Sequence, residues 1–293
     1  MQTSNFRRSM ATRREIYNQL VEAAKRCYDE AEARQIAEMI ITKRGGISRN
    51  ALIVEPNEEL IITELDTILE ALSSWRPVQY ILGTAEFADM ELEVNEDVLI
   101  PRPETEELVA WVADEMQDGG NILDACTGSG CIAIALARMV ANSQVWAFDI
   151  SEGALAIAQR NAMRYAPNVV ITQHDALKNF ATITTEKMDA VVSNPPYIPQ
   201  SDIKLMRPNV TDYEPHTALF VEDGDPLIFY RSIARTSRAM LKAEGRLYFE
   251  IYESLVDEMS QMLTDEGYTD IIVRKDFRDK PRMICARVSS IAR

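Results

Sequence analysis

Residues 121–149 form one continuous pattern: an apolar strand, a turn with two glycines, an apolar helix and a second apolar strand that ends in an acid. The glycines are Gly128 and Gly130, the helix would cover 131–140, and the acid is Asp149. Glycine lets the backbone approach a ligand closely, and a helix N-terminus favours a negatively charged group. A carboxylate at the end of the second strand can accept hydrogen bonds from ribose hydroxyls, and its distance of 19 residues from the last glycine is close to the roughly 20 of nucleotide-binding βαβ units. The pattern predicts a parallel α/β sheet with a nucleoside-type cofactor at this turn.

The glycine turn by itself fits two cofactors. A dinucleotide fold favours Gly-x-Gly-x-x-Gly, whereas this turn supplies two glycines with Ala133 as a small substitute for the third. It is therefore compatible with a nicotinamide dinucleotide and with S-adenosylmethionine. A third apolar strand over 169–173 leads to His174, Asp175 and Ala176, where a turn contacting adenine would fall. An ordinary surface turn explains those three residues equally well.

The sequence Asn-Pro-Pro-Tyr at 194–197 closes an apolar run over 188–193 that is typical of a buried strand. The side-chain carbonyl of Asn194 and the backbone carbonyl of Pro195 can accept the two hydrogens of a planar nitrogen and leave its lone pair facing an electrophile. The prolines stiffen the loop because each fixes φ and removes a donor, and Tyr197 supplies a flat wall. An ordinary strand-ending turn uses the same residue types. Hydride transfer has no use for a loop that grips an amide, so the combination favours S-adenosylmethionine.

Strands and helices alternate through the second part of the chain. The predicted strands cover 121–125, 144–149, 169–173, 188–193, 245–251, 269–274 and 283–288. The last two are joined by a short polar segment and should pair antiparallel. This order predicts a Rossmann-like α/β fold, with a doubly wound, mostly parallel seven-stranded sheet and one reversed strand. Ligands bind at the carboxyl ends of such strands, where Gly128, Asp149 and Asn194 all fall.

A chain of 293 residues suits one large domain and one small one. Apolar residues recur at three- and four-residue intervals near the N-terminus, which predicts a small helical bundle over 1–75. Alternation around Leu92 and Val94 predicts a β-hairpin linker over 76–100. Residues 101–293 would form the catalytic domain. From periodicity alone the bundle could equally be a dimerisation element or a structural cap.

The acidic residues are concentrated in the predicted catalytic domain. Residues 1–76 hold 11 Lys or Arg against 12 Asp or Glu, and the rest of the chain holds 20 against 34, a net charge of −14. Because nucleic-acid binders need a basic footprint, this distribution argues against a nucleic-acid partner and suits a neutral or basic protein substrate. Solubility explains an acidic balance equally well.

The composition also bears on metals and membranes. The four cysteines form no Cys-x-x-Cys pair and there are only two histidines, so no metal site is expected. Free thiols suit a reducing cytoplasm. No run approaches the roughly 20 apolar residues of a membrane span, and the N-terminus lacks the apolar core of a secretory signal. We expect a cytoplasmic protein with no membrane partner, and a monomer.

Taken together, the motifs resemble those of HemK/PrmC-type methyltransferases from about residue 76 to the C-terminus. The glycine turn is general to methyltransferases and Asn-Pro-Pro-Tyr is shared with adenine methyltransferases, whereas Gln-Tyr-Ile-Leu-Gly and Pro-Arg-Pro-Glu-Thr are far more specific. The resemblance implies transfer of a methyl group from S-adenosylmethionine to the side-chain amide nitrogen (N5) of the glutamine in the Gly-Gly-Gln motif of class-1 peptide chain release factors. S-adenosylhomocysteine would be the product. The matching segments are 76–83, 99–106, 124–130, 194–198, 213–219, 223–227 and 275–277.

The resemblance further implies roles for individual residues. Asn194 and the carbonyl of Pro195 would be catalytic and would grip the substrate nitrogen, with Pro196 and Tyr197 as the wall beside it. The N-terminal bundle would help to grasp the release factor. The cofactor site would consist of Cys126, Thr127, Gly128, Ser129, Gly130, Asp149, Ala176 and Asn194.

Two positions depart from the family pattern. Cys126 stands where glycine is usual, which leaves the backbone less room to approach the cofactor. Tyr252 follows Glu250 and Ile251 where the family continues with glycine and, soon after, glutamine.

Two other functions are compatible with the same motifs. An N6-adenine methyltransferase acting on DNA or RNA would use the same loop on the same kind of nitrogen, but it would need a basic groove or a recognition insert. A non-enzymatic scaffold would bind the cofactor and recruit a partner through the helical domain.

Overall fold

The computed structural model describes residues 11–116 and 118–288. The first ten residues of the predicted helical domain and the last five of the predicted catalytic domain lie outside the described residues, as does residue 117. The chain divides into two compact units. The first extends to Gly83 and includes Pro208–Tyr213; the second comprises Thr84–Arg207 and the residues from Glu214 onward. The domain limits at 75 and 100 stay predictions.

The first unit is mainly helical, and its helices begin at residues that satisfy free N–H groups of the first turn. Thr12, Asp29 and Ser48 each accept a hydrogen bond from the backbone N–H three residues on. Gly46 ends the second helix in the left-handed region, at φ 64°, which glycine adopts without strain. The elements up to Gly83 are β1 Ala11–Thr12, α1 Arg13–Ala24, α2 Glu30–Gly45, α3 Arg49–Val54, β2 Glu59–Leu60, α4 Leu65–Leu72 and α5 Val78–Leu82.

The apolar stripes of α1, α2, α4 and α5 face a common core. Ile16, Leu20 and Ile40 are fully buried there. The segment Pro208–Tyr213 joins this unit through its last residue. The Tyr213 hydroxyl donates to the Ser74 carbonyl at 2.6 Å.

The second unit contains a hairpin, a seven-stranded sheet and flanking helices. Two short 3-10 helices, Gln200–Leu205 and Glu253–Leu255, complete it. In chain order, with α9 belonging to the first unit, the elements are β3 Thr84–Phe87, β4 Met90–Glu93, α6 Pro103–Glu115, β5 Asn121–Ala125, α7 Cys131–Met139, β6 Gln144–Asp149, α8 Glu152–Tyr165, β7 Val170–Gln173, β8 Met188–Ser193, β9 Ile198–Pro199, α9 Pro208–Thr211, α10 His216–Leu219, β10 Phe220–Val221, α11 Ile228–Met240, β11 Leu241–Glu250, α12 Val256–Asp265, β12 Tyr268–Lys275 and β13 Pro281–Val288.

The sheet runs in the order β12-β13-β11-β8-β5-β6-β7. β13 is antiparallel to both of its neighbours, and the pairs on the other side of β11 are parallel. The predicted doubly wound, mostly parallel sheet with one reversed strand is therefore confirmed. From β5 the chain first adds strands on one side and then, at β8, crosses to the other. In such sheets a crevice opens at the carboxyl ends of the two strands where the order reverses, here β5 and β8.

Alternate residues of the central strands face opposite sides of the sheet, as the period of two requires. Ile122 and Val192 pack into the core on one face, and Leu123 and Val191 into the core on the other. All four are fully buried. Since both faces are covered by helices, β5 and β8 read as continuous apolar runs. None of the helices in ranges 11–116 and 118–288 has both the length and the apolar character that crossing a membrane requires.

Candidate active site

A cavity of about 360 Å³ opens at the carboxyl ends of β5, β6 and β8. All of its lining residues belong to the second unit. It brings together residues that lie up to 132 positions apart in the sequence, from Asp97 to Phe229. The predicted site residues that line it are Cys126, Thr127, Gly128, Ser129, Asp149, Ala176, Asn194 and Pro196.

Gly130, Pro195 and Tyr197 are not among the lining residues of this cavity. Gly130 precedes α7 at φ 84°, and a Cβ built on it would lie 3.0 Å from Ile134 Cδ1 and 3.3 Å from Ala158 Cβ. Glycine there lets α7 pack closely on α8. Pro195 and Tyr197 belong to the same loop as Asn194, and their roles stay predictions.

The side chain of Asp124, a buried residue of β5, holds the turn that follows this strand through hydrogen bonds. Its Oδ2 accepts from the Thr127 hydroxyl at 2.5 Å and from the Ala133 N–H at 3.2 Å. Within the described part of the chain, Oδ1 of Asp124 is buried and has no hydrogen-bond partner. Burial raises the pKa of Asp124 to about 7, because the two hydrogen bonds offset only part of the desolvation of the charge.

The raised pKa makes Asp124 a source of pH-dependent stability. In the folded protein the carboxyl keeps its proton up to about pH 7, whereas in the unfolded chain it ionises near 3.8. Its contribution to the free energy of unfolding therefore falls as pH rises from about 4 to about 7 and is constant above that window. We expect the stability of Asp124→Asn relative to the wild type to increase by about 3 kcal/mol between pH 5 and pH 8. Urea unfolding of both proteins across that range measures it, and parallel stability curves would contradict it.

Asp149 ends β6 with both carboxylate oxygens on backbone N–H groups of the cavity wall. Oδ2 accepts from Gly128 at 2.9 Å, and Oδ1 accepts from Ser151 at 3.0 Å. Each oxygen has a further lone pair with which to accept from a ligand hydroxyl. Burial raises the pKa of Asp149, although the backbone donors act in the opposite direction. The carboxyl thus ties the glycine turn to the start of α8 and faces the cavity.

Cys126 occupies a left-handed backbone conformation, with φ 62°. Glycine adopts this conformation without strain, whereas a side chain there costs about 1 kcal/mol or more. Its thiol is packed against the core on the α11 side of the sheet. Burial and the neighbouring Asp149 carboxylate raise the thiol pKa well above its usual value, so it stays protonated.

The turn after β7 completes the far wall of the cavity. The Ala176 side chain is buried, and its carbonyl accepts from the Ser232 hydroxyl at 2.6 Å. Phe148 packs beside it, with its ring 4.8 Å from that of Phe180. Together Phe148 and Ala176 form an apolar wall next to Asp149.

The Asn-Pro-Pro-Tyr loop is held at both ends. At its start the Ser193 hydroxyl donates to the Ala125 carbonyl at 2.6 Å, which fixes the end of β8 against β5. At its finish the Tyr197 N–H donates to the Leu219 carbonyl at 3.2 Å, and β9 pairs in parallel with β10. These contacts hold both ends of the loop that places Asn194 at the cavity.

Three residues next to this loop were not assigned to the site from the sequence, although Glu250 and Tyr252 were noted there as part of a departure from the family pattern. The Asn194 amide nitrogen lies 3.3 Å from the Thr105 hydroxyl, which in turn lies 2.5 Å from the Glu250 carboxylate. Tyr252 stacks on Tyr197 with ring centroids 6.0 Å apart. One signal could have found Glu250: it is an acid at the carboxyl end of an apolar strand, as Asp149 is.

Asn161 on α8 was missed as well. Its side chain is buried, accepts from the Glu93 N–H at 2.7 Å and donates to the Ser129 carbonyl at 3.0 Å. It connects the hairpin strand β4 to the glycine turn. No local pattern marks such a residue, since its partners lie 68 and 32 positions away.

Comparison with known proteins agrees with this geometry. Residues 104–209 match the family described as methyltransferase small domain, and residues 18–83 match the PrmC N-terminal domain. The fold is that of a methyltransferase from Pyrococcus furiosus, with a TM-score of 0.51 and 16% identity over 68% of this chain and 88% of that one. The family matches and the fold together place the chain among the Rossmann-like methyltransferases.

Full-length relatives make the assignment more specific. A release factor glutamine methyltransferase from Flavobacterium psychrophilum is 38% identical over 91% of this chain and 95% of its own length. A release factor glutamine methyltransferase from Bacteroides thetaiotaomicron is 39% identical over 88% of this chain and 94% of its own length. The chain belongs to the release factor glutamine methyltransferase family. The resemblance inferred from its motifs is confirmed.

Proposed function

We propose that this protein transfers the methyl group of S-adenosylmethionine to the side-chain amide nitrogen (N5) of the glutamine in the Gly-Gly-Gln motif of class-1 peptide chain release factors. One observation carries the proposal: Asn194 and Asp149 line the same cavity, at the ends of β8 and β6. The Asn194 side-chain carbonyl can accept a hydrogen of an amide nitrogen, and the Asp149 carboxylate can accept hydrogen bonds from ribose hydroxyls. The relatives, which are named release factor glutamine methyltransferases, support the same substrate.

The residues of the cavity fit S-adenosylmethionine. Its volume of about 360 Å³ lies within the usual range for small-molecule sites. Asp149 would accept from the ribose hydroxyls, Phe148 and Ala176 would border the adenine, and the turn from Thr127 would cradle the methionine part. When bound, the cofactor supplies a methyl group on a positively charged sulfur.

The protein's contribution to the reaction is positioning. The amide nitrogen of glutamine is a poor nucleophile because its lone pair is delocalised into the carbonyl. Asn194 Oδ1 and the Pro195 carbonyl would accept its two hydrogens and turn the lone pair toward the methyl group. After the nitrogen gains the methyl it is cationic and acidic, so its proton leaves to water and no strong base is required.

Other parts of the proposal concern the partners. The helical domain would help to hold the release factor, and the protein would act as a monomer in the cytoplasm, without nucleic acid or membrane. The acidic balance of the catalytic domain supports a protein substrate, and the relatives do not favour the N6-adenine alternative.

Mass spectrometry tests the proposal directly. A purified class-1 release factor is incubated with this protein and S-adenosylmethionine, and the Gly-Gly-Gln peptide is read for one added methyl on glutamine. A release factor carrying Gly-Gly-Glu is the matched control, since it lacks the nitrogen. An unmodified Gly-Gly-Gln peptide in the presence of bound cofactor would overturn the substrate assignment and direct the test to oligonucleotides.

A further inference from the structure

We propose that Glu250, acting through Thr105, is a positioning residue that fixes which edge of the Asn194 amide faces the substrate. The inference rests on the proposed methyl transfer to an amide nitrogen. It adds the means by which the site distinguishes the nitrogen of the glutamine amide from its oxygen, two groups of nearly the same size.

The first step is the burial of Glu250 at the end of β11. Glu250 is only 2% exposed. Oε2 lies 2.5 Å from the Thr105 hydroxyl and Oε1 lies 3.1 Å from the Tyr197 hydroxyl. An ionised carboxylate only accepts hydrogen bonds, so both hydroxyls must donate to it.

The second step follows from the single proton on the Thr105 hydroxyl. Because that proton is donated to Glu250, the Thr105 oxygen can only accept from its other neighbour. That neighbour is Asn194, whose Nδ2 lies 3.3 Å away. The amide of Asn194 must therefore turn its NH₂ edge toward Thr105.

The consequence is chemical selection in the cavity. With Nδ2 committed to Thr105, Oδ1 lies on the opposite edge of the amide, and Asn194 lines the cavity. An acceptor is thus presented to the substrate, which suits the N–H groups of a glutamine amide and repels its carbonyl oxygen. A flipped Asn194 would present a donor and bind the glutamine amide the wrong way round.

The relay is built on rigid parts of the second unit. Thr105, itself only 2% exposed, lies in the first turn of α6, and Glu250 lies at the end of a strand paired on both sides. Tyr197 remains a donor because burial and the nearby Glu250 raise its pKa. Tyr252 stacks on the ring of Tyr197 and donates to Asp202 at 2.7 Å, which holds that ring in place.

The direction of the relay depends on the charge of Glu250. Burial has the largest effect on the pKa of Glu250 and leaves it raised above its ordinary value. Glu104 acts in the same direction, whereas the hydrogen bonds from Thr105 and Tyr197 and the charge of Arg282 act in the opposite direction. Once the Glu250 carboxyl is protonated, it can donate to the Thr105 oxygen. The Thr105 hydroxyl can then donate its own proton to Asn194 Oδ1, and the Asn194 amide would turn its other edge toward Thr105. Turnover should fall as pH falls through the pKa of Glu250.

Three variants test the relay. Thr105→Val keeps the shape of the side chain but removes the hydroxyl, and we expect kcat to fall about 10- to 30-fold, the effect of losing one buried hydrogen bond. Thr105→Ser should recover most of this loss. Glu250→Gln cannot titrate, so its kcat should lack the acidic limb of the wild-type pH profile. Affinity for S-adenosylhomocysteine, measured by calorimetry, should change less than twofold in all three.

Thr264→Val is the control, because the Thr264 hydroxyl donates to the Ser260 carbonyl on the exposed side of α12. It should leave kcat unchanged. A kcat within twofold of the wild type for Thr105→Val, or a fall matched by an equal loss of cofactor affinity, would overturn the relay. If Thr105→Val does not fold, a pH profile of Glu250→Gln with the acidic limb intact would do the same. Failure of the wild-type protein to methylate glutamine would instead overturn the proposed function.

Discussion

Asn194→Ala is expected to lower kcat for methylation of the Gly-Gly-Gln glutamine by about 100- to 1,000-fold, the usual effect of removing one preorganised hydrogen-bonding group beside the reacting atoms. The variant loses the only side-chain acceptor that the Asn-Pro-Pro-Tyr loop offers to the substrate nitrogen. Affinity for S-adenosylhomocysteine should change little, because the ribose and adenine walls of the cavity are untouched. Single-turnover kinetics and calorimetry measure the two quantities separately.

Asn179→Ala is the matched control for this variant. Asn179 is exposed and its side chain accepts from the Ala181 N–H at 3.0 Å, outside the cavity. It should retain wild-type turnover. Retained turnover in Asn194→Ala would show that another group orients the nitrogen, and the proposed mechanism would be wrong.

The second large effect concerns the cofactor. Asp149→Ala should weaken S-adenosylhomocysteine binding at least about 100-fold, because two hydrogen bonds to a charged carboxylate together contribute about 3 kcal/mol or more. The variant also frees the N–H groups of Gly128 and Ser151, which Asp149 holds at 2.9 and 3.0 Å. The affinity of Asp149→Asn for S-adenosylhomocysteine should lie between those of the wild type and Asp149→Ala, because this variant keeps one acceptor oxygen.

Asp189→Ala separates loss of binding from loss of stability. Asp189 also accepts from a backbone N–H, that of Asn121 at 2.7 Å, and pairs with Lys242 at 2.7 Å, but it lies at the amino ends of the strands. It should lower the melting temperature without changing cofactor affinity. Equal affinities of Asp149→Ala and the wild type would exclude Asp149 from the cofactor site.

The sheet and the edge at which the cavity opens were predictable because their signals are local. The apolar runs that form β5, β6 and β8 are continuous since those strands are buried on both faces. Each run ends in residues whose types reveal their chemistry: glycines, an acid, and asparagine with two prolines. The reversed strand β13 was predictable from the short segment before it.

The relay around Asn194 was not predictable, because its members meet only in the folded chain. Thr105 and Glu250 are 145 positions apart, and Asn194 and Thr105 are 89 apart. Threonine in the first turn of a helix is an ordinary residue there. The stacking of Tyr252 on Tyr197 likewise depends on the path of two loops. Local patterns identify the loop to which we assign the chemistry but not the side chains that contact it.

Because of the six residues Pro208–Tyr213, the helical unit is built from two separate stretches of the sequence. These six residues are encoded after the Asn-Pro-Pro-Tyr loop, yet they belong to the helical unit, where Tyr213 meets Ser74 and Arg76. A hybrid gene with a single junction after Gly83 would therefore combine residues 1–83 of one parent with residues 208–213 of the other parent. Exchange of the helical unit between relatives needs three junctions, one after Gly83 and one on either side of 208–213. A single junction after Gly83 would separate Tyr213 from the Ser74 and Arg76 that it contacts.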